Sequence, residues 1–227
     1  MLRIPGWASG ATLSTYRVSA LGRLTTVSEA APLANGTYHA VQVEPGAMAL
    51  TIDFHPQIRV EYGWGLEGTN AAAVLRGPLL YALPLEEHYV LTANHSQAFD
   101  TGTSQDFDVT STTPWNYALQ LDTALSSGGL RYDPPSSQAP RWDTERPPFG
   151  SASVGISSGH ILAQAKRIKG WGMHAVYPNT AADPPASPAC AGLSDACGEL
   201  EEVVLVPFGN TRLRIGMLPW FSAGGGL

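Results

Sequence analysis

Residues 72–83, AAVLRGPLLYAL, form the most apolar stretch of the chain and decide its fold class. A stretch of this length and composition suits either a buried helix or two short strands. Gly77-Pro78 lies in its middle, and a proline inside a helix removes a backbone hydrogen bond and clashes with the preceding turn. We therefore predict two short strands that meet at a kink or bulge at Gly77-Pro78.

The rest of the sequence also favours strands. Its 24 glycines and 18 prolines are spread along the whole chain and indicate many turns. The clearest run between turns is 47–54, in which Met48, Leu50, Ile52 and Phe54 share one face of a predicted strand. Long amphipathic helices are hard to find, so the fold class that we predict is all-β.

Two further segments lead to more specific expectations. Residues 11–34 are small residues, Ser and Thr without a sustained period, and we interpret them as a loop-like insertion with one weak strand at 16–19. Near the end of the chain, 201–207 and 211–218 are interpreted as a final hairpin joined by Phe208-Gly209-Asn210.

Composition and charge limit the possible function. Of the 227 residues, 44% are hydrophobic and only 14% are charged, which is not the composition of a disordered chain. The formal net charge of -6 argues against nucleic acid and anionic membranes as partners, because both reward clustered Lys and Arg. No stretch is long enough for a membrane-spanning helix. The sequence shows no signal-peptide pattern, and a secreted and a cytoplasmic location both remain open.

Four blocks follow one another along the chain: LRIPGWA (2–8), VLRGPLLYALPLE (74–86), PWNYALQLD (114–122) and LVPFGNTRLRIGMLP (205–219). Together, in this order, they resemble the C-terminal half of the β-L-arabinofuranosidase-type glycosidases, glycoside hydrolase family 127 and its relatives. Family members more often have Tyr at the position of Phe208. The first block begins beside Met1, from which we expect that the chain opens in the middle of a larger architecture.

The resemblance implies a role in carbohydrate metabolism without an active site of its own. In that family a catalytic α/α barrel precedes these blocks and carries a cysteine nucleophile and a zinc site. No residue of this chain matches that barrel, so the resemblance implies no catalytic residue, no metal site and no cofactor here, and zinc only in the catalytic domain. The implied function is that of a non-catalytic accessory region that packs on the barrel.

The same resemblance implies two β-sandwich-like modules, with the second inserted in the first. The first comprises residues 1–75 together with about 200–220, and the second comprises 76–199. Residues 221–227, which contain Gly224-Gly225-Gly226, are expected to form a disordered tail.

Two other functions remain open, namely a stand-alone carbohydrate-binding module and an active glycosidase. A binding module would take arabinose-containing glycans, whose sugar faces stack on exposed Trp and Tyr. Trp142, in the polar stretch RWDTER, is the best candidate for such a platform. Trp115 and Trp171 lie in or at the end of β-like runs, and we expect them to pack in the core.

Cys190 and Cys197 lie close together in a loop rich in Pro, Ala and Ser. They are a poor basis for a structural zinc site, which needs four ligands, because no histidine stands near them in sequence. A small disulfide or two free thiols is the expectation, and a disulfide suits a secreted protein.

The densest group of acid and base residues is Glu86, Glu87 and His88. Glycoside hydrolysis needs two carboxylates that flank one bond. Neighbouring residues on a strand point to opposite faces, so we interpret this group as a solvated strand end. We interpret Asp53 and His55, which share one strand face, in the same way.

Other polar motifs are weak evidence for a metal site or a modification site. Loop carboxylates at Asp106, Asp108, Asp143 and Glu145 allow a calcium site, but they lack EF-hand-like spacing. Asn35-Gly36-Thr37 and the triplet that starts at Asn94 fit the acceptor pattern for N-glycosylation, which would matter only in a secreted eukaryotic protein.

Overall fold

The structure is a computed structural model that describes residues 1–43, 45–96, 103–135, 159–177, 180–190 and 196–222. The described part is all-β, which confirms the predicted fold class. Its one helical segment is the 3-10 turn Phe208–Asn210, and it contains no helix with the length and apolar character needed to cross a membrane. The strands are, in chain order, β1 (Leu2–Arg3), β2 (Thr12–Val18), β3 (Leu24–Pro32), β4 (Tyr38–His39), β5 (Met48–Asp53), β6 (Ile58–Trp64), β7 (Ala71–Arg76), β8 (Leu79–Pro84), β9 (His88–Ser96), β10 (Thr103–Thr110), β11 (Tyr117–Leu121), β12 (Arg131–Asp133), β13 (His160–Ile168), β14 (Cys197–Pro207), β15 (Arg214–Ile215) and β16 (Trp220–Ser222).

The apolar stretch around Gly77-Pro78 forms two strands, as predicted: β7 ends at Arg76 and β8 begins at Leu79. Gly77 lies between them at a φ of 55°, in the left-handed region that favours glycine. A Cβ at this position would lie 2.8 Å from the Cβ of Pro56. The turn therefore needs a residue without a side chain.

The chain divides into two compact units, and the first comprises Met1–Ile58 with Arg76–Pro78. It contains the three-stranded antiparallel sheet β3-β2-β5 and the short pair β1-β4. Its core consists of buried residues on which partly buried side chains such as Trp7 and Phe54 pack, the two rings 5.5 Å apart. The buried members are Ile4, Ala8, Ala11, Leu13 and Leu33.

The prediction of a loop-like insertion at 11–34 is wrong, because β2 and β3 form a hairpin there. β3 reads LTTVSEAAP, and eight of its nine residues are exposed. A strand with no buried face carries no alternating apolar pattern, which is the signal that a sequence-based assignment requires.

The second unit comprises Arg59–Leu75 and Leu79–Leu227 and contains a nine-stranded sheet and the antiparallel pair β9-β10. Along the large sheet the strand order is β16-β11-β13-β14-β8-β7-β6, and β12 and β15 pair with β13 and β8. Its fully buried side chains include Leu119, Leu121, Ile161 and Leu205. Apolar side chains on these central strands therefore form the core of the unit.

The predicted hairpin at the end of the chain is also wrong. β14 pairs with β13 and β8, whereas β15 pairs with β8 across Leu83 and Pro84. The segment Phe208–Asn210 joins β14 and β15 as a 3-10 turn, and these two strands do not pair with each other in the described part of the chain. Two strands close in sequence thus both pair with β8, at different residues of that strand.

The compact units do not have the bounds of the two predicted modules, 1–75 with about 200–220 and 76–199. The described part of 200–220 belongs to the same unit as that of 79–199. The assignment of two sandwich modules stays a prediction. The predicted tail 221–227 begins inside a strand, since β16 extends to Ser222, and residues 223–227 lie outside the described part.

Candidate functional site

A polar group of the second unit with several hydrogen bonds centres on Glu87, in the short link between β8 and β9. Its Oε1 accepts hydrogen bonds from the backbone N–H groups of Arg212 at 2.6 Å and Leu213 at 3.0 Å. The hydroxyl of Thr211 donates to the same oxygen at 3.1 Å. The hydroxyl of Tyr89 donates to the other oxygen, Oε2. Both carboxylate oxygens of Glu87 are therefore engaged.

These bonds set the protonation of Glu87. Partial burial by itself raises the pKa of this carboxyl group. The hydrogen bonds from Tyr89, Leu213, Arg212 and Thr211 favour the ionised form and outweigh that effect, so its pKa lies below the ordinary value of 4.5. Glu87 is thus an anion that accepts hydrogen bonds over the neutral pH range.

The segment that meets Glu87 is itself held in place. The single proton of the Thr211 hydroxyl is shared between Glu87 Oε1 and the carbonyl of Leu213, which lies 2.9 Å from the hydroxyl oxygen. That carbonyl also accepts the Leu85 backbone N–H at 3.0 Å. The Arg214 guanidinium lies 3.8 Å from the centre of the Phe208 ring, a cation–π distance, and donates to the carbonyl of Thr211. We name Glu87, Tyr89 and Thr211–Leu213 the Glu87 clamp.

The Glu87 clamp does not have the properties of a glycosidase acid. A general acid needs a carboxyl group that keeps its proton near neutral pH, which requires a raised pKa. The pKa of Glu87 is lowered instead, and its oxygens are directed at the protein's own backbone. This arrangement joins the start of β9 to the segment before β15, which is a structural role.

The neighbours of Glu87 in sequence take no part in the clamp's bonds described above. Glu86 is exposed, and its backbone N–H donates to the Thr113 hydroxyl at 3.1 Å. His88 is also exposed. The interpretation as a solvated strand end therefore holds for the exposure of Glu86 and His88, while Glu87 is partly buried and bound to a segment more than 120 positions later in the chain. No local sequence signal could indicate that partner.

A second group of interest is aromatic. On β6, the side chains of Tyr62 and Trp64 are exposed, at 38% and 46% respectively. The ring of Tyr62 meets that of Trp220 edge to face at 5.1 Å. Burial and the nearby charge of Asp122 raise the pKa of the Tyr62 hydroxyl, which stays protonated as a hydrogen-bond donor. We name Tyr62, Trp64 and Trp220 the aromatic surface.

Trp115, Trp171 and the two cysteines belong to one apolar cluster. Trp171 is buried, and Trp115 packs against it edge to face at 5.0 Å, which confirms the expectation that both lie in the core. The structure joins Cys190 and Cys197 by a disulfide. Cys197 is itself a buried member of the cluster that contains Trp171. The disulfide thus lies in this small core, against which Cys190 also packs.

Three of the remaining candidate residues, Trp142, Asp143 and Glu145, lie outside the described residues. Asn35 is exposed and donates from Nδ2 to the carbonyl of Gly6 at 2.8 Å. The backbone of Asn94 pairs with Gln105 in β9-β10, but its side chain lies outside the description.

The loop and strand acids form no metal site in the described part of the chain, where no three His, Cys, Asp or Glu residues are grouped closely enough to hold an ion. Asp53 lies 3.5 Å from His55, and both side chains are at least half exposed. This pair is solvated, as interpreted from the sequence, but β5 ends at Asp53, so His55 lies beyond the strand and does not share a strand face with Asp53 as predicted. Asp106 and Asp108 lie on β10 and not in a loop as predicted, and calcium binding by these acids has no support among the described residues.

Comparisons with known proteins give a structural similarity and no match to a family model or a curated protein. The chain is similar to a solved structure described as a glycoside hydrolase, with 14% sequence identity and a TM-score of 0.41. The similarity covers 96% of this chain and 27% of that one. This chain thus corresponds in length to a minor part of that larger protein.

Proposed function

We propose that this chain is a non-catalytic accessory β-sandwich region of a β-L-arabinofuranosidase-like glycoside hydrolase, and that it packs on a catalytic α/α barrel. The resemblance of the four sequence blocks supplies the family. The observation that carries the accessory role is the Glu87 clamp. The densest acidic cluster in the sequence includes a carboxylate that is used to hold two segments together, with a pKa lowered away from the range of a general acid.

The pair β9-β10 supports a packing role. An isolated two-stranded ribbon is marginally stable in water, and β9 and β10 pair with no other strand in the part of the chain that the structure describes. Leu91 is paired with Phe107 across the ribbon, and these side chains are 46% and 43% exposed. Contiguous exposed apolar side chains mark interaction surfaces. A barrel that covers this ribbon would remove them from water.

The Glu87 clamp places this ribbon. Glu87 immediately precedes β9, and Tyr89 is the second residue of that strand. The ring of Tyr89 meets that of Phe107 edge to face at 5.8 Å. The clamp therefore fixes the base of the ribbon to the segment Thr211–Leu213. An ordered ribbon loses less conformational entropy on docking than a free one, which favours binding.

An activity assay of the full chain tests the proposal that it has no catalytic activity of its own. The chain is incubated with a chromogenic β-L-arabinofuranoside, with and without added zinc. We expect no hydrolysis above the rate of the protein-free blank. Hydrolysis that copurifies with the chain and depends on Glu87 would establish an active glycosidase and overturn the accessory role.

A binding experiment tests the packing role. The catalytic barrel of a β-L-arabinofuranosidase-type enzyme, without its own accessory region, is mixed with the full chain and analysed by analytical ultracentrifugation. We expect a complex that Leu91→Asp abolishes, because a buried unpaired carboxylate is costly. The matched control is Leu21→Asp, on a leucine of the first unit that is 84% exposed. Equal complex formation by both variants would contradict docking through the ribbon.

A further inference from the structure

We infer that the aromatic surface of Tyr62, Trp64 and Trp220, together with Asp122, is a binding site for a neutral oligosaccharide. This site lies within the second unit and is separate from the β9-β10 ribbon in the sheet arrangement. Neither the sequence blocks nor the comparisons assign it. It goes beyond the proposed packing role, on which only the choice of an arabinose probe rests.

Two members of the aromatic surface, Trp220 and Tyr62, are held in place before any ligand binds. The indole N–H of Trp220 donates to the carbonyl of Asn70 at 2.9 Å. The backbone of Trp220 donates to the Ser187 hydroxyl and accepts from the N–H of Ala189. Tyr62 packs edge to face on this anchored ring. Side chains held in this way lose little freedom on binding, which favours affinity for a weakly binding ligand.

The aromatic surface combines apolar ring faces with a hydroxyl group and a nearby carboxylate. Exposed faces of Tyr and Trp match the C–H faces of a furanose or pyranose ring. The Tyr62 hydroxyl is a donor. The turn that follows Asp122 lies beside β6, since the backbone N–H of Val60 donates to the carbonyl of Ser126 at 2.9 Å. Burial and the charge of Asp122 raise the pKa of the Tyr62 hydroxyl. Asp122 Oδ1 already accepts the N–H of Ala124 at 2.9 Å, which orients the carboxylate. A ring with one apolar face and hydroxyl groups at its edge matches this combination.

The Asp122 carboxylate favours a sugar over a protein as the occupant of this site. A protein surface that covered the aromatic side chains would also remove the Asp122 carboxylate from water, which is costly without a positively charged partner. Sugar hydroxyls would instead donate to the carboxylate. An acidic sugar would be repelled by Asp122, and the chain's net charge of -6 adds to this effect. The site therefore favours neutral glycans.

The test is a titration of the full chain, with binding detected by tryptophan fluorescence and by calorimetry. The probes are a neutral arabinan oligosaccharide and a neutral xylan oligosaccharide, which differ in ring type. We expect saturable binding of at least one probe. Trp64→Ala is expected to weaken that binding about fivefold, since stacking on one aromatic ring contributes on the order of 1 kcal/mol.

Three further variants sharpen the result. Tyr62→Phe keeps the ring and its contact with Trp220, so a loss of affinity reports the hydroxyl alone. Asp122→Asn keeps an oxygen that can accept the Ala124 N–H and tests the charge. The matched control is Tyr177→Ala, on a tyrosine of the same unit that is 64% exposed, and it is expected to bind like the wild type.

Two results would overturn the inference: no saturable binding of either probe, or binding that Trp64→Ala and Tyr62→Phe leave unchanged. Thermal melts of each variant confirm that it is folded. The proposed packing role is measured by association with the barrel, so either proposal can fail while the other stands. Binding of only the xylan probe would support the site and remove the argument for arabinose.

Discussion

The environment of Glu87 determines whether this residue has a catalytic or a structural role. In sequence it is one of two neighbouring glutamates beside a histidine, a pattern that suits acid–base chemistry. In the structure, its carboxylate accepts two backbone N–H groups and two hydroxyl groups. The residue type was visible from the sequence, but its partners were not, because Thr211–Leu213 lie far along the chain. Its role depends on that long-range contact.

Replacement of Glu87 by Gln should therefore destabilise the protein. An amide loses the charge that strengthens these hydrogen bonds, and we expect the free energy of unfolding to fall by about 1–2 kcal/mol, at the low end of charged hydrogen bonds because the group is partly exposed. The control is Glu86→Gln at the exposed neighbour, with a change within about 0.5 kcal/mol. Urea unfolding of both variants measures the difference. Equal effects would contradict the Glu87 clamp.

The same clamp predicts a pH dependence. The pKa of Glu87 is lower in the folded than in the unfolded chain, so its contribution to stability is fully present above the ordinary value of 4.5 and is lost as the pH falls through the folded pKa. The stability difference between the wild type and Glu87→Gln should shrink as the pH is lowered below that value. A difference that grows on acidification would show that the sign is wrong.

At the scale of the element, the sequence predicted strands correctly where a single residue type restricts the local backbone. Gly77-Pro78 separated β7 from β8 because proline excludes a helix, and this pattern needed no tertiary information. The hairpin β2-β3 was missed because β3 is nearly all exposed. The pairing of β14 with β13 was missed because it depends on long-range contacts, whereas Phe208-Gly209-Asn210 looked like a hairpin turn.

The turn at Gly77 gives a prediction for the first unit. In Gly77→Ala the new Cβ would meet Pro56 at 2.8 Å, and the backbone would have to keep a φ of 55°. We expect a loss of about 1–3 kcal/mol in the free energy of unfolding. Gly6→Ala is the matched control, since a Cβ there has no heavy atom within 4 Å. Two variants of equal stability would show that the turn tolerates a side chain.

The disulfide loop gives a prediction for the second unit. Cys190 and Cys197 are seven positions apart, and their bond restricts the unfolded chain. The double variant Cys190→Ala, Cys197→Ala should lose about 2–3 kcal/mol. A reducing agent should lower the melting temperature of the wild type to that of the variant and leave the variant unchanged. A wild type whose melting temperature does not respond to full reduction would contradict a stabilising bond.

At the scale of the whole molecule, the chain has few charges and a large exposed apolar surface. Only 14% of its residues are charged, and exposed apolar side chains occur on β3, on β6 and on the β9-β10 ribbon. Such a surface suits a region that is covered by a larger protein. Low charge content was evident from the sequence, but the location of the apolar side chains needed the strand pairing.

The central claim is that this chain provides a surface to a catalytic barrel and not chemistry of its own. The most direct measurement is the composition of the natural protein, isolated with an antibody against this chain and identified by peptide mass spectrometry. We predict peptides of an α/α barrel with its cysteine nucleophile, in the same polypeptide or in a stoichiometric complex. A polypeptide of this chain's own size with no barrel bound to it would contradict the account.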